Sequence, residues 1–197
     1  MTINRNKSAR KYVTLFLFLL NFLSNEFLFA QTPVASFSSN AQIGCSPLQV
    51  SFTNTSSGAN SFSWNFGNGN SSSLFNPSTV FLIPDTYIVV LTATNTSNGQ
   101  QSTVNANIIV VPDPVADFTA SVLSGCANSN SICFTNASQY AAGYTWDFGD
   151  GNSSNATSPC HTYTAQGTYT VKLIATSTYG CQGIKIRNSY ITKIPLP

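Results

Sequence analysis

Along residues 168–177 apolar and polar side chains take turns, and Tyr169, Val171, Leu173 and Ala175 fall on one side of the run. A period of two puts alternate side chains on the same face of an extended chain, so this stretch predicts a half-buried β-strand. The same reading applies to 115–118, 131–136, 144–148, 160–163 and 182–194, with Tyr144, Trp146 and Phe148 sharing a face. No segment after residue 30 shows the period of a helix. Gly149-Asp150-Gly151-Asn152 and Gly67-Asn68-Gly69-Asn70 separate the runs with residues suited to the positive φ of hairpin turns.

The pattern occurs twice. Trp64-Asn65-Phe66-Gly67-Asn68-Gly69-Asn70-Ser71-Ser72 returns as Trp146-Asp147-Phe148-Gly149-Asp150-Gly151-Asn152-Ser153-Ser154, an offset of 82. Pro33-Val34-Ala35-Ser36-Phe37 answers to Pro114-Val115-Ala116-Asp117-Phe118, and Tyr87, Val89, Leu91 and Ala93 return as Tyr169, Val171, Leu173 and Ala175. A unit this long exceeds a solenoid repeat and suits a small independent domain. The predicted domains are 33–112 and 114–194, joined at Pro112-Asp113-Pro114, where two prolines fix φ and make the junction short and stiff. About seven short strands per repeat is the pattern of an immunoglobulin-like sandwich. The expected core is Trp64, Phe66, Trp146 and Phe148, with Tyr87 and Tyr169 opening the long strand in the manner of a tyrosine corner.

Residues 1–30 read as a segment outside the fold. Arg5, Lys7, Arg10 and Lys11 precede an apolar run, and Phe27-Leu28-Phe29-Ala30 leads to Gln31. That is the layout of a secretory signal peptide cut after Ala30. The run is shorter than the roughly 20 residues of a spanning helix, so the exported chain is expected not to span a membrane. The predicted fold class is therefore all-β, two tandem immunoglobulin-like β-sandwiches behind an N-terminal signal peptide.

Removing the leader changes the charge. The full chain carries a formal +2, but beyond residue 30 the bases Lys172, Lys185, Arg187 and Lys193 face Asp85, Asp113, Asp117, Asp147 and Asp150, a net of −1. The first repeat holds no Lys or Arg. A nucleic acid needs a basic face to neutralise its phosphates, so that partner class is excluded. The polar surface is built of Ser, Thr and Asn, which predicts binding that is insensitive to salt.

Three signatures together make a family resemblance. Trp146-Asp147-Phe148-Gly149-Asp150-Gly151, then Pro159-Cys160-His161-Thr162-Tyr163, then Gly167-Thr168-Tyr169-Thr170-Val171-Lys172-Leu173 resemble the PKD (polycystic kidney disease) domain. Repeat one resembles it with departures: Asn65 and Asn68 replace the aspartates, Phe81 the tyrosine, and Asp85 stands at the place of Gly167. The resemblance implies PKD-type β-sandwiches of extracellular or cell-surface proteins, used as spacers or as adhesive units that contact protein or polysaccharide. It also implies a structural hydrogen bond for His161.

An exported chain permits disulfides. Cys133 and Cys160 map onto Ser51 and Ser78, so both are missing together from repeat one, and strand parity turns both outward. They are expected to form a cross-strand bridge. That leaves Cys126 for Cys181 and makes Cys45 the odd cysteine. Cys45 is read either as an inert thiol or as the site of an intermolecular disulfide.

Candidate chemistry is sparse. His161 is the only histidine, no Gly-x-Ser-x-Gly elbow occurs, and the titratable groups are too few to converge on a cleft. No catalytic residue, resident metal or cofactor is expected. One calcium reading attaches to Asp147 and Asp150 around the turn, although calcium loops use more oxygen ligands than this. The expected function is a non-catalytic module pair that spaces or adheres. The alternative is an accessory carbohydrate-binding segment of a secreted hydrolase or protease, with Tyr140, Tyr179 and Phe75 as contact residues because they fall in loops or exposed positions.

Overall fold

Strand alternation decides the layout of both repeats. The computed structural model describes residues 31–127 and 131–195, so the leader read in 1–30 lies outside the described residues. Repeat one contributes β1 (Phe37–Ser39), β2 (Ile43–Cys45), β3 (Leu48–Asn54), β4 (Ser61–Asn65), β5 (Ser71–Ser72), β6 (Ser78–Phe81), β7 (Asp85–Asn95) and β8 (Gln100–Val111). Repeat two returns the series as β9 (Phe118–Ala120), β10 (Ser124–Cys126), β11 (Ile132–Asn136), β12 (Gly143–Asp147), β13 (Ser153–Ser154), β14 (Cys160–His161), β15 (Gly167–Thr176) and β16 (Gln182–Ile194). Each repeat stacks a three-stranded sheet, β1-β3-β6 or β9-β11-β14, on a five-stranded one, β2-β8-β7-β4-β5 or β10-β16-β15-β12-β13. The fold is all-β, two sandwiches in tandem.

One strand per repeat escaped the periodicity. β2 and β10 run parallel to the ends of β8 and β16, with Cys45 beside Val111 and Cys126 beside Ile194. Segments this short hold a single Gly-Cys step and offer no alternation to detect.

The cores form where the inner faces meet. Trp64, Phe52, Phe66, Phe81, Val89, Leu91 and Ile108 fill the first, and Trp146, Phe118, Phe134, Phe148, Tyr163, Val171 and Leu173 the second. Both indoles are wholly buried, and each Nε1–H still finds a carbonyl: Leu74 O at 3.0 Å and Ala156 O at 2.9 Å. A buried indole with a satisfied N–H keeps its full packing contribution, on the order of 2–3 kcal/mol. Tyr87 and Tyr169 donate their hydroxyls to Ile83 O and Ala165 O, both at 2.8 Å. These bonds clip the start of each long strand to the loop before it.

Glycine is required at one repeated position. Gly67 and Gly149 adopt φ of +75° and +81°, and a Cβ on either would strike the carbonyl oxygen of Ile88 or Thr170 on the neighbouring strand. The shared Phe-Gly step is therefore a close-approach point as well as a turn.

Candidate functional site

The junction between the repeats is built from two strand ends and a turn. Parallel pairing along β8 delivers Cys45 beside Val111, where Ser46 N–H donates to Val111 O at 3.2 Å and the chain leaves repeat one. Cys181 lies in the turn between β15 and β16. Its N–H donates to Ser177 Oγ at 3.1 Å, and its carbonyl accepts from Ser177 N–H at 2.9 Å. The two cysteines are bonded, with 5.6 Å between their Cα atoms, an ordinary separation for a disulfide. Pro112-Asp113-Pro114 therefore has a second, covalent connection beside it. Asp113 comes close enough to the two sulfurs that the three ligand atoms lie within 4.8 Å. Sulfurs already bonded to each other are not thiolate ligands, so the trio is a clamp and not a metal centre.

This corrects two expectations about the cysteines. Cys181 pairs with Cys45 and not with Cys126, and Cys45 is engaged within the chain instead of reaching another molecule. Strand length explains the first correction. Cys126 sits beside Ile194 at one end of β16, whereas Cys181 precedes Gln182 at the other. A strand of that length holds them roughly 40 Å apart. Cys126 is half-buried on β10, and its carbonyl accepts from Lys193 Nζ at 3.3 Å. Cys133 and Cys160 are joined directly across the β11–β14 ladder, and both face outward.

A second cluster surrounds the turn after β12. Asp147 Oδ1 accepts from Gly149 N–H at 2.9 Å, and Asp150 Oδ1 accepts from Asn152 N–H at 3.1 Å. Asp150 Oδ2 stands 2.7 Å from His161 Nε2, with both side chains only 14% exposed. The imidazole lies flat on Phe148, 4.2 Å between centroids, and meets Tyr163 edge-on. Burial works against the Asp150 carboxylate, but His161 and the donors of Asn152 outweigh it and hold its pKa below the usual value. Burial, then the charge of Asp150, push the Tyr163 phenol well above its ordinary range, and its hydroxyl donates to Phe148 O at 3.0 Å. Both carboxylates proposed for calcium thus already accept protein donors. The group ties a hairpin to β14, which is structural chemistry.

The aromatic contact candidates separate. Tyr140 (63% exposed, φ +60°) and Tyr179 (56%) project from two loops at one end of repeat two, where Ala142 N–H donates to Thr176 O at 2.8 Å. Phe75, 51% exposed, belongs to repeat one and packs edge-on against Phe62 at 5.1 Å. Sequence reasoning missed Asp117, whose Oδ1 pairs with Arg187 at 3.0 Å and Lys185 at 3.7 Å while the guanidinium lies over Phe118 and Tyr190. A hydrogen bond from the backbone of Phe118 lowers the Asp117 pKa first, then, against some burial, the two cations. The available signal was the change from Ser36 to Asp117 between otherwise matching segments. No helix among the described residues is long and apolar enough to cross a membrane.

A family model described as the PKD domain matches the chain twice, over residues 30–110 and 111–191. Among solved structures, the PKD1 domain of Vibrio cholerae metalloprotease PrtV is similar at 33% identity, covering 41% of this chain and 98% of that one, with TM-score 0.36. The PKD1 domain of Vibrio anguillarum Epp is similar at 32% identity, covering 42% and 98%, with TM-score 0.37. Carbohydrate-binding modules from the β-sandwich superfamily are similar at 16% identity, covering 75% and 56%, with TM-score 0.41.

Proposed function

We propose that this chain, which belongs to the PKD domain family over both of its repeats, is an exported, non-catalytic module pair that acts as a stiff spacer at the cell surface. The observation that supports this reading most is the Cys45–Cys181 bond across the Pro112-Asp113-Pro114 junction. A spacer holds what it carries at a fixed distance, and a flexible linker would let the two modules swing. Two prolines restrict the backbone, and the disulfide adds a second attachment point, so bending there needs two connections to move together. Disulfides suit an oxidising compartment, and the basic-apolar leader in 1–30 suits export. In this reading the modules extend over 33–112 and 114–194.

Small-angle scattering of the oxidised protein and of the Cys45→Ser/Cys181→Ser variant tests the proposal. The variant is expected to show a longer tail in its distance distribution and the signature of a hinge. Superimposable curves for the two would sink it.

A second reading is supported by the exposure of Tyr140 and Tyr179 in neighbouring loops: a polysaccharide-contacting segment accessory to a secreted hydrolase or protease. Co-sedimentation with insoluble polysaccharides separates the two. Retention that disappears in Tyr140→Ala/Tyr179→Ala supports contact with sugar, and passage of the wild type supports the spacer.

A further inference from the structure

We infer that the open edge of β8 is a self-pairing surface, where a second copy of this chain lays its own β8 antiparallel and extends the five-stranded sheet across two molecules. β8 pairs with β7 in unbroken register from Gln100 to Val110, but among the described residues its other side is covered by β2 only from Ile109 to Val111. Across that side Ile109 N–H donates to Gln42 O at 2.8 Å. By the alternation of an antiparallel ladder, the N–H and C=O of Asn107, Asn105 and Thr103 point the same way. All three residues are exposed. Ser102 closes one end of this window, its Oγ accepting from Ala35 N–H at 3.0 Å, and Gln42 closes the other. An open groove of about 520 Å³, lined by Gln42, Ile43, Asn105, Ala106, Asn107 and Ile109, lies where β2 begins.

Repeat two supplies the internal comparison. The ladders place Lys185 where repeat one has Val104, and Arg187 where it has Ala106. Both cations pair with Asp117, the register shifts between Tyr169 and Val171, and Ser189 takes φ of +50°. Charge and bulges are the means by which sheet edges avoid pairing with another chain. β16 has them, and β8 has no charged residue, proline or shift of register along its length.

The edge also complements itself. A twofold axis through Asn105 sets Thr103 opposite Asn107 of the second copy and Val104 opposite its Ala106. Uncharged polar side chains then meet on the outer face and small apolar ones on the inner face, an isologous contact. Asp85 is the only charge within 33–112, so little repulsion opposes the approach of two first repeats. About six backbone hydrogen bonds would form. A contact this short falls below the roughly 1,200 Å² of stable complexes, so it suits reversible association with a dissociation constant of about 10 µM to 1 mM.

Sedimentation velocity from about 10 µM to 1 mM, run on protein shown to be free of intermolecular disulfides by non-reducing gel, tests the inference. The wild type is expected to shift toward dimer as concentration rises, with amide exchange slowing at Thr103, Asn105 and Asn107 alone among the β8 residues. Thr103→Lys/Asn107→Lys sets like charges across the pair. Asn105→Pro removes a donor at an edge position whose N–H does not serve the β7 ladder. Both variants are expected to stay monomeric with the wild-type circular dichroism. A wild type that is monomeric throughout, or a dimer that survives in both variants, overturns the proposal. So does a dimer whose protected amides lie elsewhere.

Discussion

At the scale of single residues, the clearest difference between the repeats is Asp150 against Asn68. Asn68 turns its side-chain amide to Val80 O at 3.2 Å, whereas Asp150 meets His161. A depressed folded-state pKa means the unfolded chain binds the proton more readily. The resulting stability is present above the ordinary value of 3.8 and is lost as pH falls through the lower folded value. Tyr163 and Asp147 also face this group, but the Tyr163 phenol, raised far above neutrality, stays protonated across that window. Asp150→Asn is therefore expected to lower the thermal midpoint of repeat two at pH 7, with the gap to wild type closing by about pH 2. Melting curves at both pH values check this, and a gap of unchanged size would contradict it. Asp117 adds little to the profile, because its ion pairs are largely solvated.

Among elements, the third strand of the small sheet differs most. β6 pairs with β3 from Leu48↔Phe81 to Ser51↔Ser78, while β14 meets β11 only at Ile132↔His161 and Cys133↔Cys160. The disulfide occupies the position of the Ser51/Ser78 pair and fastens a strand too short to hold by its ladder alone. With its cysteines 27 positions apart, chain-entropy arguments give a bond of this kind about 3–4 kcal/mol. Cys133→Ser/Cys160→Ser should weaken repeat two by about that amount and leave repeat one unchanged. Denaturant titration followed by the fluorescence of Trp64 and Trp146 in single-tryptophan backgrounds reads the two repeats separately. An equal loss in both would contradict the assignment.

Over the whole molecule, the two cores share no residue, and among the described residues a short junction and a disulfide connect them. Each core is complete in itself, so Cys45→Ser/Cys181→Ser should leave both modules folded while uncoupling them. Calorimetry is expected to resolve two independent transitions in the variant and to show them drawn together in the oxidised wild type. Collapse of either transition would mean that the bridge supports a fold and not merely an angle. The residue pattern along the chain is enough to specify the all-β class, the duplication, the buried tryptophans and the cross-strand geometry of Cys133 and Cys160. Each of these follows from alternation or repetition within a few neighbouring residues. It did not determine the partner of Cys181, the parallel strands β2 and β10, the Asp150–His161 contact or the unguarded edge of β8. Those depend on which strand ends come together across a sandwich or a junction. Local pattern has no term for that distance, and only the folded chain supplies it.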